Sequence, residues 1–266
     1  MQTKTVSSAI NLAIEGGIAR LTLNRPEAGN TITAESALEL ASATQQIEAD
    51  DSIRVVLLRG AGDTFSAGGD IKAFAAQGEN LPQYLRETTV HLHAAISRLA
   101  RLDAPVIAAV HGSAAGGGFS LACACDYVLA AESSRFVMAY SKIGLSPDGS
   151  CTYFLPRIIG PRRTMQLTLL GKPLSASEAR DWGLVNEVVP DQDLFARADE
   201  LANQLAAGPT LAFGATKRLL HTTWSETLET QMDLESRGIS ETSGTADGQE
   251  GITAFLEKRK PKFQGK

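Results

Sequence analysis

The sequence predicts an α/β domain, and three observations predict it. Two stretches, Ile53 to Lys72 and Pro105 to Asp126, repeat one plan: an apolar, β-branched run, a glycine-rich turn and a helix start. Around them, short strand-like runs precede longer stretches of helical period. The chain has 266 residues, 43% hydrophobic and 21% charged, enough for one large domain with a substantial core.

Taken in order, Ile10 to Ile14 and Ile18 to Leu23 flank Glu15-Gly16-Gly17, a hairpin at the first edge of a sheet. Asn24 to Ile32 is turn-rich, and Thr33 is placed to cap a helix whose apolar stripe is Ala34, Ala37, Leu38, Ala41 and Ile47. Ile53 to Arg59 reads as a buried strand, followed by Phe65-Ser66-Ala67-Gly68-Gly69-Asp70-Ile71-Lys72. From Lys72 to Asn80 there is no clear period, so this stretch reads as a mobile wall. Asn80 is expected to cap the next helix, with Pro82 in its first turn and Gln83 three residues after the cap. Leu85, Leu92, Ile96 and Leu99 share one face of it. His91 and His93 lie two apart and face different ways, which argues against a metal pair.

Pro105 to Val110 is a central buried strand ended by His111, either a structural turn histidine or a proton carrier. Gly116-Gly117-Gly118 opens a helix of small residues. Asp126 to Ala131 and Arg135 to Met138 read as strands, and Ala139 to Arg157 as a turn-rich loop with one carboxylate, Asp148. Ser175 and Glu178 form a capping box, the helix stops at Trp182-Gly183, and Leu184 to Pro190 is a short strand or extended link. Helices follow at about 191–207, 209–222, 224–241 and 245–259, broken at Gly208-Pro209, with Asp247 to Glu250 capping the last.

Composition excludes several functions. A net charge of −5 argues against a general nucleic-acid or anionic-membrane surface, so any phosphate site has to be a local basic cluster. No apolar run approaches the roughly 18 residues that cross a bilayer. Met1 to Ser8 has neither an apolar signal core nor an Arg-rich amphipathic pattern, so the expectation is a cytoplasmic protein without nucleic-acid or membrane partners. Cys123, Cys125 and Cys151 are odd in number and the first two sit in an apolar segment, so buried thiols are expected and no metal site.

The glycine stretches carry the chemistry. Glycines at a helix start let backbone approach a ligand and leave amide N–H groups aimed outward at the positive end of the helix dipole. They serve either an anion or simply close packing of two elements. Two such units can give one donor each to a single oxygen, at about 2.7–3.1 Å, which is what an oxyanion hole requires.

These two stretches, with Leu174 to Ala179, Gly183-Leu184-Val185 and Val188-Val189, make nearly the whole chain resemble the crotonase, or enoyl-CoA hydratase/isomerase, family. Ser146-Pro147-Asp148-Gly149, Leu155-Pro156-Arg157, Asp181-Trp182-Gly183-Leu184 and Phe255 to Phe263 are most similar to the isomerases of phenylacetate degradation. The resemblance implies a spiral of ββα units over residues 1–205 and a helical oligomerisation region over 206–266, building a homotrimer or hexamer. It implies an acyl-CoA thioester substrate and no cofactor, coenzyme A being part of the substrate. It gives the oxyanion donors as the amides of Gly69 and Gly117. Substrate contacts are implied for Arg25, Ala67, Asp70, Ile71, Lys72, Ser120, Tyr140, Lys262 and Phe263. Read from the residues alone, Arg25 can equally be a solvated loop arginine, and Lys262-Phe263 a frayed end.

Hydratases of the family use two glutamates, and those positions here are Ser120 and Tyr140, neither of which replaces a carboxylate base. Asp148 stands where the family's isomerases place their single carboxylate. It is either the acid/base or the Asx-turn residue between Pro147 and Gly149. One carboxylate suffices to move a proton from C2 to C4 of an enolised thioester. The expectation is therefore an acyl-CoA isomerase that shifts a double bond from 3-enoyl to 2-enoyl, or rearranges a ring-epoxide acyl-CoA. The alternatives are a hydratase with substituted groups and a non-catalytic acyl-CoA binder.

Overall fold

The computed structural model describes residues 8–266. Met1 to Ser7, most of the stretch read for targeting, lies outside the described residues. β1 (Ile10–Glu15) and β2 (Ile18–Leu23) form the predicted antiparallel hairpin, with β1 at the edge of a six-stranded sheet. From β2 the chain winds as a spiral, and each turn leaves a strand in this sheet, a shorter extended piece in a second sheet, and a returning helix.

The first turn runs from β2 through Ile32 to α1 (Ala34–Glu48), capped by Thr33 as predicted. The second runs from β3 (Val55–Gly60) through Ser66 and Gly69 to α2 (Ile71–Ala75) and α3 (Leu81–Arg101). The third holds β4 (Val106–Val110), β5 (Ser113–Ala115) and α4 (Gly117–Cys123). The fourth holds β6 (Tyr127–Ala131), β7 (Arg135–Val137), α5 (Cys151–Ile159) and α6 (Pro161–Leu170). The last comprises β8 (Leu174–Ser175), α7 (Ala176–Asp181) and β9 (Glu187–Val189).

The large sheet has the order β1-β2-β3-β4-β6-β9 and is parallel after its first pair. The second, β5-β7-β8, is extended by bridges from Ser66 to Ala114 and from Ile32 to Gly69. Strands β3 and β4 are covered on both faces, which is why they read as unbroken apolar runs rather than alternating ones. Val56, Leu58, Val106 and Ala108 face the main core, while Val55, Leu57, Ile107 and Ala109 pack on Leu194, Ala198, Leu201 and Ala202 of α8 (Leu194–Ala206).

Three further helices follow: α9 (Thr210–Thr222), α10 (Leu228–Ser243) and α11 (Ala246–Leu256). Lys217 fastens α9 to the core, its buried ammonium 2.7 Å from Asp126 and 3.2 and 3.3 Å from the carbonyls of Leu99 and Ala104. Among the described residues, no helix is long and apolar enough to cross a membrane, and no group of three or more His, Cys, Asp or Glu side chains could hold a metal ion.

Several local expectations change. The stretch after Lys72 is ordered into α2 and a 3-10 turn at Gly78–Asn80. Asn80 is therefore already helical (φ −81°, ψ −3°) and its side chain does not cap α3; Gln83 bonds Glu87 at 2.8 Å instead. The Ala139 to Arg157 loop is shortened by a 3-10 turn at Tyr140–Ile143 and by α5, which begins at Cys151 despite Pro156 inside it. Helix α6 has no counterpart among the sequence expectations. Helix α11 is capped by Thr245, not by Asp247, whose carboxylate accepts the amides of Gln264 and Gly265 at 2.6 and 2.7 Å. The C-terminal tail is thus held, not frayed. The cysteines are free, with Cys123 and Cys151 buried.

Candidate active site

The two glycine stretches meet backbone to backbone. A Cβ on Gly68 would stand 2.5 Å from the carbonyl oxygen of Ala115 and 3.2 Å from the nitrogen of Gly117, and Gly68 has φ +89°, so only glycine fits. The approach is laced by Ser66 N to Ser113 O at 3.0 Å and Ala115 N to Ser66 O at 2.9 Å. Gly116, at φ +48° and ψ −121°, turns the chain into α4, which leaves the Gly117 N–H among the helix's orphan donors. Among the described residues, neither the Gly69 nor the Gly117 N–H has a hydrogen-bond partner.

Both glycines line a cavity of about 570 Å³ whose walls include Ile32, Ile71, Phe74, Leu85, Leu92 and Leu145. Asp148 is the one carboxylate among its lining residues. Tyr140 donates its hydroxyl to Asp148 Oδ1 at 2.5 Å, and Ser120 Oγ donates to the Asp148 carbonyl at 2.8 Å. The next amide, Gly149 N, donates to His93 Nε2 at 3.1 Å, so that ring nitrogen is unprotonated. Burial, and after it the negative charge of Asp148, pushes the Tyr140 phenol well up from its ordinary value, so it remains a donor.

Of the residues singled out from sequence, Gly69, Gly117, Asp148, Ala67, Ile71 and Tyr140 converge on this cavity. Ser120 is fully buried behind Tyr140. Arg25 and Asp70 pair with each other at 3.3 Å; Arg25 also donates to the Thr31 carbonyl at 2.8 Å, and Asp70 caps α2 through the Ala73 amide at 3.0 Å. Burial works to raise the Asp70 carboxyl, but the donors from Ala73, Thr31 and Arg25 outweigh it and hold it below its usual range. Lys72 is exposed on α2. Lys262 and Phe263 lie on the tail, against Glu250 and Gly251, and do not line the cavity. His93 was missed as a partner of the Asp148 loop. No signal within the sequence ties it to that loop, because its partner Gly149 lies 56 residues further on.

Paired main-chain donors beside one carboxylate in an apolar cavity suit an enzyme that carries negative charge on a substrate oxygen while a proton moves nearby. Residues 13–266 match the enoyl-CoA hydratase/isomerase family. The chain is 44% identical over 255 residues to 1,2-epoxyphenylacetyl-CoA isomerase of Escherichia coli strain K12, covering 95% of this chain and 97% of that one. It is 35% identical over 243 residues to 4-chlorobenzoyl coenzyme A dehalogenase-2 of an Arthrobacter species, covering 91% and 88%. The crystal structure of an enoyl-CoA hydratase from Polaromonas sp. JS666 matches with a TM-score of 0.91 at 37% identity, covering 96% and 99%. The chain is an enzyme of the enoyl-CoA hydratase/isomerase family.

Proposed function

We propose that this enzyme is an acyl-CoA isomerase working through a thioester enolate, with Asp148 as its acid/base. The observation that carries this is the lone carboxylate: Asp148 lines the cavity that also holds the unpartnered amides of Gly69 and Gly117. The positions at which the family's hydratases carry glutamates are filled by Ser120 and Tyr140.

In this scheme the thioester oxygen accepts hydrogen bonds from Gly69 and Gly117, and losing one such donor typically costs about 100- to 1000-fold in rate. Asp148 takes a proton from C2 of a 3-enoyl thioester, the charge passes to the oxygen, and the proton is returned at C4. The scheme needs no cofactor, and coenzyme A enters as part of the substrate. Ala67 and Ile71 would contact the thioester arm, with Arg25, Asp70 and Lys72 toward the coenzyme. The epoxide isomerase among the relatives supports a ring-epoxide acyl-CoA as the alternative substrate.

Residues 206–266 are proposed to join copies into a trimer or hexamer. Supporting this, Leu220, Leu228, Ile239 and Phe255 are 63%, 70%, 71% and 83% exposed. Lys262 and Phe263 would then serve a neighbouring copy's cavity.

The test is NMR of 3-hexenoyl-CoA in deuterated water with the native enzyme and Asp148→Asn. Double-bond migration should fall about 100- to 10,000-fold in the variant. Hydration of crotonyl-CoA that survives Asp148→Asn would favour a hydratase. Thioester binding without turnover of either the 3-enoyl or a ring-epoxide substrate would end the isomerase assignment.

A further inference from the structure

Ser120 and Tyr140, where hydratases of the family carry glutamates, both commit their hydroxyls to the Asp148 residue. We infer that Tyr140 is a positioning residue that makes Asp148 a base with one working oxygen, while Ser120 and His93 hold the loop beneath it. The inference rests on Asp148 being the base.

The proton count supports it. A carboxylate only accepts, so the 2.5 Å contact to Oδ1 uses the single proton of Tyr140. Ser120 has one proton for three neighbours, the Asp148 carbonyl at 2.8 Å, the Tyr140 hydroxyl at 3.1 Å and the Gly116 carbonyl at 3.3 Å, and the shortest contact is to Asp148. Gly149 is pinned from two sides. Its amide is taken by His93, and at φ +62° a Cβ on it would stand 2.8 Å from Cβ of Ser120. Among the described residues, Asp148 Oδ2 has no hydrogen-bond partner, whereas Oδ1 is taken by Tyr140. It is the oxygen left for substrate.

The 1,3-shift then runs through one atom. Oδ2 takes the C2 proton as the C2–H pair forms C1=C2 and the carbonyl pair moves onto the thioester oxygen. On collapse the oxygen pair restores C1=O, the C1=C2 pair moves to C2=C3, and the C3=C4 pair takes the same proton from Oδ2 at C4. Tyr140 keeps its own proton throughout. With Oδ1 held by Tyr140, the carboxyl group is kept from turning Oδ2 and its proton away from C4. Ser120 and Tyr140 have no proton left to donate to a water and no carboxylate to activate one, which fits isomerisation over hydration.

The experiment is Tyr140→Phe, which keeps the ring in the cavity wall and removes the donor. With 3-hexenoyl-CoA deuterated at C2, in ordinary water, kcat should fall about 10- to 100-fold, as expected for losing a hydrogen bond to a charged group. KM should stay within about twofold, since the ring still lines the cavity. The share of deuterium carried to C4 should drop below that of the native enzyme. Native kcat and native deuterium retention in Tyr140→Phe would overturn the inference.

A second measurement covers a variant that does not fold. The hydroxyl proton of Tyr140, held 2.5 Å from Oδ1 of Asp148, should give a proton resonance shifted well downfield of an ordinary phenol's. In Asp148→Ala that resonance should vanish; a resonance absent from the native enzyme, or unchanged in the variant, overturns the inference. Turnover that survives Asp148→Asn defeats the base assignment itself. Loss of turnover in Asp148→Asn beside a fully native Tyr140→Phe defeats only the positioning role.

Discussion

One β-carbon separates two outcomes in the glycine loops. Gly68→Ala places a methyl 2.5 Å from a carbonyl oxygen at φ +89°, with backbone on the far side that cannot yield. It is expected to cost more than about 2 kcal/mol, read as a lowered urea midpoint, and to abolish isomerisation by moving the Gly69 and Gly117 amides apart. At Gly117 the added carbon would meet Cδ1 of Ile32 at 3.1 Å and Cδ2 of Leu92 at 4.0 Å, both far ends of flexible side chains. Gly117→Ala keeps its N–H, so it should fold normally and lose less than about tenfold in kcat/KM. Equal damage from the two changes would contradict the backbone-donor geometry. The clusters were legible from their place directly after buried strands, which left ligand binding and close packing equally open, and Gly69 and Gly117 were singled out as donors through the family resemblance. Tyr140 was legible as a site residue, but its bond to Asp148 was not, nor was that of His93 to Gly149, since both partners are reached only through the folded loop.

At the scale of an element, α11 and the tail after it form a latch. Glu250 accepts two bonds from Arg259 and the amide of Lys262, and these, Arg259 first, bring its carboxyl from an ordinary 4.5 down to about 2. A pKa depressed in the folded state stabilises fully above the ordinary value, and that contribution is lost as pH falls through the depressed one. The tail is therefore expected to loosen as pH drops from about 4.5 toward about 2, seen as weaker protection of the Lys262 amide from exchange, relative to an unfolded chain at the same pH. Glu250→Gln should show that weaker protection already at neutral pH. Unchanged protection in both conditions would mean that Asp247, bonded to Gln264 and Gly265, holds the tail alone. Sequence placed a helix here and read Asp247 as its cap. What it could not show was that Asp247 and Glu250 point back to a segment more than a turn beyond the helix end.

For the whole molecule, the feature that bears on assembly is the apolar surface of α9, α10 and α11. Leu220, Leu228, Ile239, Phe255 and Leu256 are each more than 60% exposed, which is unusual for a surface that meets only water. Sedimentation equilibrium should give a mass of three or six chains of 28.2 kDa. Ile239→Asp with Phe255→Asp should reduce the mass to that of one chain, or at least weaken the assembly strongly. A native enzyme that sediments as a single chain would leave these residues unexplained and remove the proposed route by which Lys262 and Phe263 reach a cavity.

Local chemistry was enough for much of this chain. Period-two and period-3.6 patterns, the Thr33 and Ser175 caps and the Gly208-Pro209 break each act within a few residues, so hairpin, strands and most helices could be read directly. The two glycine loops and Asp148 could also be named, the latter through family resemblance. What only the tertiary structure decided is how they meet. Parallel pairing of β3 with β4 and the Ser66 to Ala114 bridge bring Gly68 against Gly117, about fifty residues away in sequence. Burial of α4 sets Ser120 under Tyr140 and Asp148. Such contacts depend on the geometry of the closed spiral, and no sequence window spans it.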